Sequence, residues 1–210
     1  MTGGKVLCGL LEQRLGQPSP RKGAMSVLKV ARMGHPVLSR KASLLEDKEL
    51  ASERIQRLID DMIETMRDER GVGLAAPQVH EPLRLFVMDP RVLGENDEGE
   101  GLRVLANPEL HFPTDSKMNL WEGCLSIPGV RGQTERFAEV DVTCLDRKGQ
   151  RCELVFRGFP AAVVQHETDH LDGVLFLARM PDLSKLAFED EYARFHTEED
   201  TEEATEEDTY

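Results

Sequence analysis

The chain has 210 residues, 40% of them hydrophobic and 31% charged, enough for a single domain with a sizeable core. Of its formal charge of −13, the stretch from Glu189 to Tyr210 carries −10, leaving a near-neutral body that excludes the broad basic footprint of a nucleic-acid binder. No apolar run approaches the ~20 residues of a membrane span. Four cysteines without a Cys-x-x-Cys pair exclude a disulfide scaffold and lead us to expect a reducing cytoplasm.

Residues 1–24, with Gly3, Gly4, Gln17, Pro18, Ser19, Pro20 and Lys22, are expected to be a disordered leader, with Met25 as an alternative start. From Val27 the pattern becomes regular. Leu50, Ile55, Leu58, Ile59, Met62, Ile63 and Met66 recur at helical spacing, with Asp60, Asp61, Glu64 and Arg67 on the other face, and Gly71 and Gly73 are expected to stop that helix. Short β-like segments follow at Leu83–Met88, Arg103–Ala106, Val140–Leu145 and Cys152–Phe156, with Asp146-Arg147-Lys148-Gly149 as a hairpin connection. An apolar run (Phe159, Ala161, Ala162, Val163, Val164) then opens a helix, followed by an extended piece at Val174–Phe176 and a final helical piece near Leu183–Phe195. Strands and helices segregate, which predicts an α+β fold: antiparallel sheets packed around that central helix. The domain plan is a leader (1–24), a catalytic body (25–188) and an acidic, disordered tail (189–210), with low hydrophobicity and like charge arguing for disorder from about His196.

Three stretches carry chemistry. The central helix contains Gln165-His166-Glu167-Thr168-Asp169-His170-Leu171-Asp172-Gly173, hence His-Glu-x-x-His. Positions four apart share a helix face, so His166 and His170 can aim two imidazole nitrogens at one metal ion. Glu167 lies ~100° further round, badly placed as a ligand but able to serve as a general base beside them. A catalytic metal needs a third protein ligand, and Cys124 in Glu122-Gly123-Cys124-Leu125-Ser126 is a plausible thiolate. A lone cysteine among apolar neighbours is more often a small buried hydrophobe, and Cys144 and Cys152 are read that way. The third stretch is Gly71-Val72-Gly73-Leu74-Ala75-Ala76-Pro77-Gln78, two glycines allowing close approach and an amide donor.

Together, GVGLAAPQ, EGCLS and QHETDHLDG resemble the three signature motifs of the peptide deformylases of bacteria and organelles, in the family's order. The resemblance spans about Met25–Phe188. It implies a metal-dependent hydrolase that removes the N-formyl group from the formylmethionine of newly made polypeptides and releases formate. By position, Cys124, His166 and His170 are the implied metal ligands and Glu167 the proton-transferring carboxylate. The Leu125 backbone N–H and the Gln78 side chain stabilise the oxyanion. Gly73 would hydrogen-bond the formyl group or peptide through its backbone, and Val72, Leu120, Phe159, Ala162 and Val163 would form the methionine pocket. Arg131 falls near the peptide entrance, Arg136 opposite Asp169, and Glu122 behind the site as a positioning group. The implied metal is Fe2+, with Zn2+, Ni2+ or Co2+ as substitutes. The implied partners are formylmethionyl nascent peptides, with transient contact to the ribosome and none to nucleic acid or membrane.

Two other classes compete. A zinc endopeptidase would use the same His-Glu-x-x-His, but its third ligand is usually a downstream His or Glu, whereas Cys124 lies upstream. A silent relative that only binds nascent chains would not need Glu167 or Gln78.

Overall fold

Caps and stripes decide the first elements. In the computed structural model, which describes residues 25–89 and 102–196, a one-turn helix α1 (Asp47–Leu50) leads into α2 (Glu53–Asp68). The Ser52 hydroxyl accepts from the Ile55 amide and satisfies one of the open donors at the start of α2. The stripe Ile55, Leu58, Ile59, Met62, Ile63, Met66 is buried throughout. The helix does not run on to the glycines expected to end it. Arg70 takes the left-handed conformation (φ 57°), the Gly71 amide returns to the Met66 carbonyl at 2.8 Å, and Gly73 already belongs to a strand.

The strands that follow are β1 (Gly73–Ala75), β2 (Leu85–Met88), β3 (Arg103–His111), β4 (Lys117–Cys124), β5 (Ile127–Phe137), β6 (Glu139–Leu145) and β7 (Arg151–Arg157). Helix α3 (Phe159–Leu171), β8 (Leu186–Phe188) and α4 (Glu189–Phe195) complete the described chain. All strand pairs are antiparallel and form two sheets, ordered β1-β2-β3-β6-β7 and β4-β5-β8. The fold is α+β, as expected from the segregation of strands and helices.

The five-stranded sheet has a helix against each face, and residue alternation shows it. Leu74, Leu85 and Val87 join the α2 stripe in one core cluster, while Ala75, Phe86 and Met88 join Ala161, Val163, Val164 and Leu171 of α3 in the other. A strand buried on both faces reads as an unbroken apolar run, as Leu85–Met88 does. Helix α3 packs against β1, β2, β5 and β7, so it is buried almost all round rather than along one stripe. Its polar residues therefore need partners. The Gln165 amide donates to the Ala161 and Phe137 carbonyls (3.0 and 2.9 Å) and accepts from the Phe137 amide (3.0 Å), tying α3 to the end of β5. The helix ends at Gly173 (φ 74°), where a Cβ would stand 2.8 Å from the Ser39 carbonyl carbon, so only glycine fits.

Several expectations need correction. Strands β4 and β5, which pair with each other from Lys117 to Cys124, were not expected. β3 does not stop at Ala106 but continues to His111 through a bulge, with Asn107 at φ 51° and its side chain bonded to both backbone groups of Leu45. Of the expected extended piece Val174–Phe176, Leu175 is extended but Phe176 opens a turn of 3-10 helix (Phe176–Arg179), and of Leu183–Phe195 only Glu189–Phe195 is α-helical, since Leu186–Phe188 pairs with β5. That α4 lies inside the range set aside as tail. The hairpin at Asp146–Gly149 forms as read, with the Asp146 carboxylate accepting from the Lys148 and Gln150 amides at 2.8 Å. The expected leader and residues 197–210 of the expected tail lie outside the described residues.

Candidate metal centre

The central helix brings His166 and His170 onto one face, their rings 5.0 Å apart and nearly perpendicular. Cys124 reaches them from the last position of β4. A register shift between Gly123 and Cys124, followed by the turn at Leu125 and Ser126, re-aims its side chain toward α3. Cys124 Sγ lies 3.3 Å from His170 Nε2, and one ligand atom from each of the three residues lies within 4.8 Å of the others. One thiolate and two imidazoles form a mixed soft and borderline donor set suited to iron, cobalt, nickel or zinc.

Behind the ligands runs a buried chain of charge-assisted contacts. His166 Nδ1 meets Glu122 Oε2 at 2.6 Å, which turns Nε2 toward Cys124 and His170. Glu122 also accepts from Arg136 (2.6 and 3.0 Å) and from the Thr134 hydroxyl. Arg136 in turn donates to Asp169 at 2.6 Å, and Asp169 accepts from Arg179 at the surface side. Thr134 and Arg136 project from the same face of β5, two residues apart. Burial opposes ionisation of Glu122, but the His166 and Arg136 contacts outweigh it and hold the carboxyl far below the usual range. Burial likewise opposes the charged form of His166, yet its hydrogen bonds to Cys124 and Glu122 raise it well above its ordinary value. These groups are arranged to stabilise positive charge at the imidazole edge, and a cation bound by Cys124, His166 and His170 meets that arrangement. His170 is held well below its ordinary value by burial and by the neighbouring His166, so it is a neutral donor.

Two further groups face the same point. Gln78 is 2% exposed; its carbonyl accepts from the Ala75 amide at 2.8 Å, which fixes the NH2 toward Ser126 Oγ (3.3 Å) and Cys124 Sγ (3.7 Å). Glu167 is 4% exposed, and its Oε2 has no hydrogen-bond partner in the fold. A buried carboxylate oxygen left open costs free energy unless something else uses it. Burial pushes Glu167 up to about 7, with His166 pulling down and Glu122 pushing up, so it can both take and give a proton near neutrality. The carboxylate lies directly against Gly73, where a Cβ would stand 2.3 Å from Glu167 Oε1. This close approach gives the second glycine of the Gly71-Val72-Gly73 stretch its reason.

A cleft of about 560 Å³ opens onto these groups. Its inner wall includes Gly73, Gln78, Cys124, Leu125, His166 and Glu167, while Val72, Leu120, Phe159, Ala162 and Val163 supply apolar surface. Arg131, Trp121, Glu69, Arg70 and Glu189 also line it. Every residue expected from the sequence at the site therefore lines this one cleft, except His170, which is 1% exposed and sits beneath it as a ligand candidate.

A model of the polypeptide deformylase family matches residues 27–186. The chain belongs to the polypeptide deformylase family. The peptide deformylase 1A, chloroplastic/mitochondrial, of Arabidopsis thaliana is 40% identical over 171 residues, which cover 76% of this chain and 64% of that relative. The present chain thus spans just under two thirds of that plant protein's length. The peptide deformylase of Halothermothrix orenii is 41% identical over 156 residues, covering 74% of this chain and 95% of its own. A structure of the class I type b peptide deformylase from Acinetobacter baumannii with Met-Ala-Ser bound superposes with a TM-score of 0.68 at 40% identity, covering 75% of this chain and all of that one. Polypeptide deformylases are metal-dependent, and Cys124, His166 and His170 form the candidate metal-binding group here.

Reading the sequence missed four residues that surround the site. Thr134 completes the hydrogen bonds of Glu122, Ser126 accepts from Gln78, and Arg179 neutralises Asp169 from outside. Period-2 spacing of Thr134 and Arg136 would have revealed the first, had β5 been recognised. Glu189 was hidden in the acidic run although it lines the cleft. No helix among the described residues is long and apolar enough to cross a membrane.

Proposed function

We propose that this chain hydrolyses the N-formyl group from the N-terminal formylmethionine of new polypeptides, with release of formate. The observation that carries this reading is the open Oε2 of the buried Glu167 beside the Cys124-His166-His170 donor set. Cys124, His166 and His170 hold the metal, and ferrous iron is the proposed ion, with zinc, nickel or cobalt as substitutes. Bound there, such a cation supplies Lewis acidity: a carbonyl oxygen is polarised and water ionises near neutral pH.

The side chains do the rest. Glu167 takes the proton of the attacking water and later delivers it to the departing amine, a task that suits a carboxyl raised to about 7. The Gln78 NH2 and the Leu125 backbone N–H donate to the carbonyl oxygen as its negative charge grows, and one such donor is typically worth about 10²–10³ in kcat. Val72, Leu120, Phe159, Ala162 and Val163 receive the methionine side chain, whose burial contributes about 1.5–3 kcal/mol. The Gly73 backbone bonds the formyl group or the peptide, and Arg131 lies where later residues leave the cleft. The Met-Ala-Ser peptide of the A. baumannii structure supports a cleft that binds the deformylated product. Contact with the ribosome would be transient. The three free cysteines among the described residues and the bacterial relatives support a cytoplasmic setting, while the plant relative's name points to an organelle as the alternative.

The test is formate release from formyl-Met peptides, run beside cleavage of the same peptides without the formyl group. Formate from the first and no cleavage of the second supports deformylation, with formyl-Met preferred over formyl-Asp and formyl-Lys. Internal cleavage of unformylated peptides would make the protein an endopeptidase instead.

A further inference from the structure

The cleft is lined by an ion pair, Arg131 with Glu189, whose acidic member the proposed mechanism does not use. Glu189 is the first residue of α4, and its Oε1 lies 2.6 Å from Arg131 Nη2 and 3.2 Å from Arg131 Nε. Both residues line the same cleft as Glu167 and His166. Three contacts fix the pair. Strand β8 adds to the edge of β5 with Arg131 opposite Ala187, two residues before Glu189. The Arg131 guanidinium lies flat over Gly123, where a Cβ would come within 2.6 Å of Nη1. Trp121 of β4 contacts Tyr192 and His196, each 4.9 Å away between ring centroids, and so anchors the far side of α4.

The charge pattern then matters. Among the lining residues, Glu69, Arg70, Arg131 and Glu189 are two cations and two anions. With Glu189 in place these four charges balance and the Arg131 donors that meet it are taken. Without its charge, Arg131 would offer a free guanidinium to any carboxylate on the bound peptide, the group it recognises best. A growing chain presents no free terminal carboxylate at this point, so such attraction would favour short peptide acids over the proposed substrate.

We propose that Glu189 is a specificity-determining residue of the peptide cleft: held against Arg131, it withholds that guanidinium from acidic groups on the bound peptide. This rests on the reading of the cleft as a formyl-peptide site.

The experiment compares Met-Ala-Ser with a free carboxylate against its C-terminal amide, using metal-loaded wild type, Glu189→Gln and Glu189→Lys. Trp121, the only tryptophan, lines the cleft and reports binding by fluorescence. Formate release from the two formylated peptides gives KM and kcat in parallel. Wild type is expected to bind acid and amide alike. Glu189→Gln should shift the ratio toward the acid by about twofold to fivefold, the range of a partly exposed pair, and the shift should appear in KM as well as in the dissociation constants. Glu189→Lys should shift it further, and both shifts should shrink at high salt. An unchanged ratio in both variants overturns the proposal, as does equal weakening of acid and amide, which loosening of α4 would produce. If none of the proteins releases formate, the proposed activity fails, while the ratio of dissociation constants still decides the role of Glu189.

Discussion

Replacing Gly73 by alanine isolates the contact between β1 and the proposed proton carrier. An added Cβ would stand 2.3 Å from Glu167 Oε1, 2.7 Å from Cδ and 2.9 Å from Cγ, against ordinary contacts near 3.4 Å or more, so something must move by about 1 Å. Strand β1 cannot give way, because Leu74 and Ala75 are fully buried against opposite cores and paired with β2. Helix α3 is held by the Gln165 bonds to Phe137 and by the charged contacts of Asp169. The Glu167 carboxylate therefore moves. Misplacing a catalytic group by about 1 Å costs on the order of 10²-fold in rate, and complete loss of the base costs about 10²–10⁴. The proposed ligands Cys124, His166 and His170 are not among the atoms the added Cβ would meet. Gly73→Ala should thus keep its metal, lose about 1–3 kcal/mol of stability to overpacking, and lose at least 10²-fold in kcat. Formate release at saturating formyl-Met peptide, metal content per chain and a denaturant melt measure all three. A kcat within about threefold of wild type would refute the assignment of Glu167, since so close a clash cannot leave it in place.

Removing Arg136 by an Arg136→Met substitution strands Glu122 and Asp169 in the interior, where breaking a buried pair costs about 3–5 kcal/mol. The Tm should fall by about 6–20 °C, and His166, losing its oriented partner, should bind metal more weakly in a competition assay. Cys144 sits 5% exposed, and burial with Cys152 and Asp146 nearby pushes its thiol up to about 12. Iodoacetamide at pH 8 should therefore leave it unmodified in the native protein and label it once urea is added, as peptide mass mapping will show. The folded chain keeps that proton above the thiol's ordinary 9.0 while the unfolded chain releases it, so this group's contribution to stability falls as pH rises from there toward 12. For the metal, apo-protein reconstituted without oxygen should be more active with iron than with zinc, and only the iron form should lose activity in air as Cys124 oxidises. A more active, equally air-stable zinc form would reverse the iron assignment and leave the three ligands standing.

The parts legible in the sequence are those whose signal is local. The α2 stripe, the Asp146–Gly149 hairpin and the i, i+4 histidines each lie within a dozen residues and obey one period. Strand β5 escaped because its buried face carries Gly132, Thr134 and Arg136 rather than apolar residues. Gly132 is small because Phe176 and Met180 press against it, and Thr134 and Arg136 face Glu122. A strand that buries a charge network shows no hydrophobic alternation, so its function erased its signature. The helix end at Arg70 was misread for a related reason: a left-handed non-glycine residue leaves no compositional mark. Helix α4 was expected as part of Leu183–Phe195, but its range was also set aside as tail, since its anchors Tyr192 and His196 find Trp121 only once β4 and β5 are folded. The third proposed ligand, Cys124, lies 42 positions before His166, and no spacing rule joins them; resemblance to a family did.

The central claim is that Glu167 carries protons beside a metal it does not bind. The most direct measurement is formate release by Glu167→Gln, with metal content determined on the same sample. The account predicts wild-type metal content and kcat lowered by about 10²–10⁴, because glutamine fills the same space without accepting a proton. Near wild-type turnover would contradict it, and so would loss of the metal together with activity, which would make Glu167 a ligand.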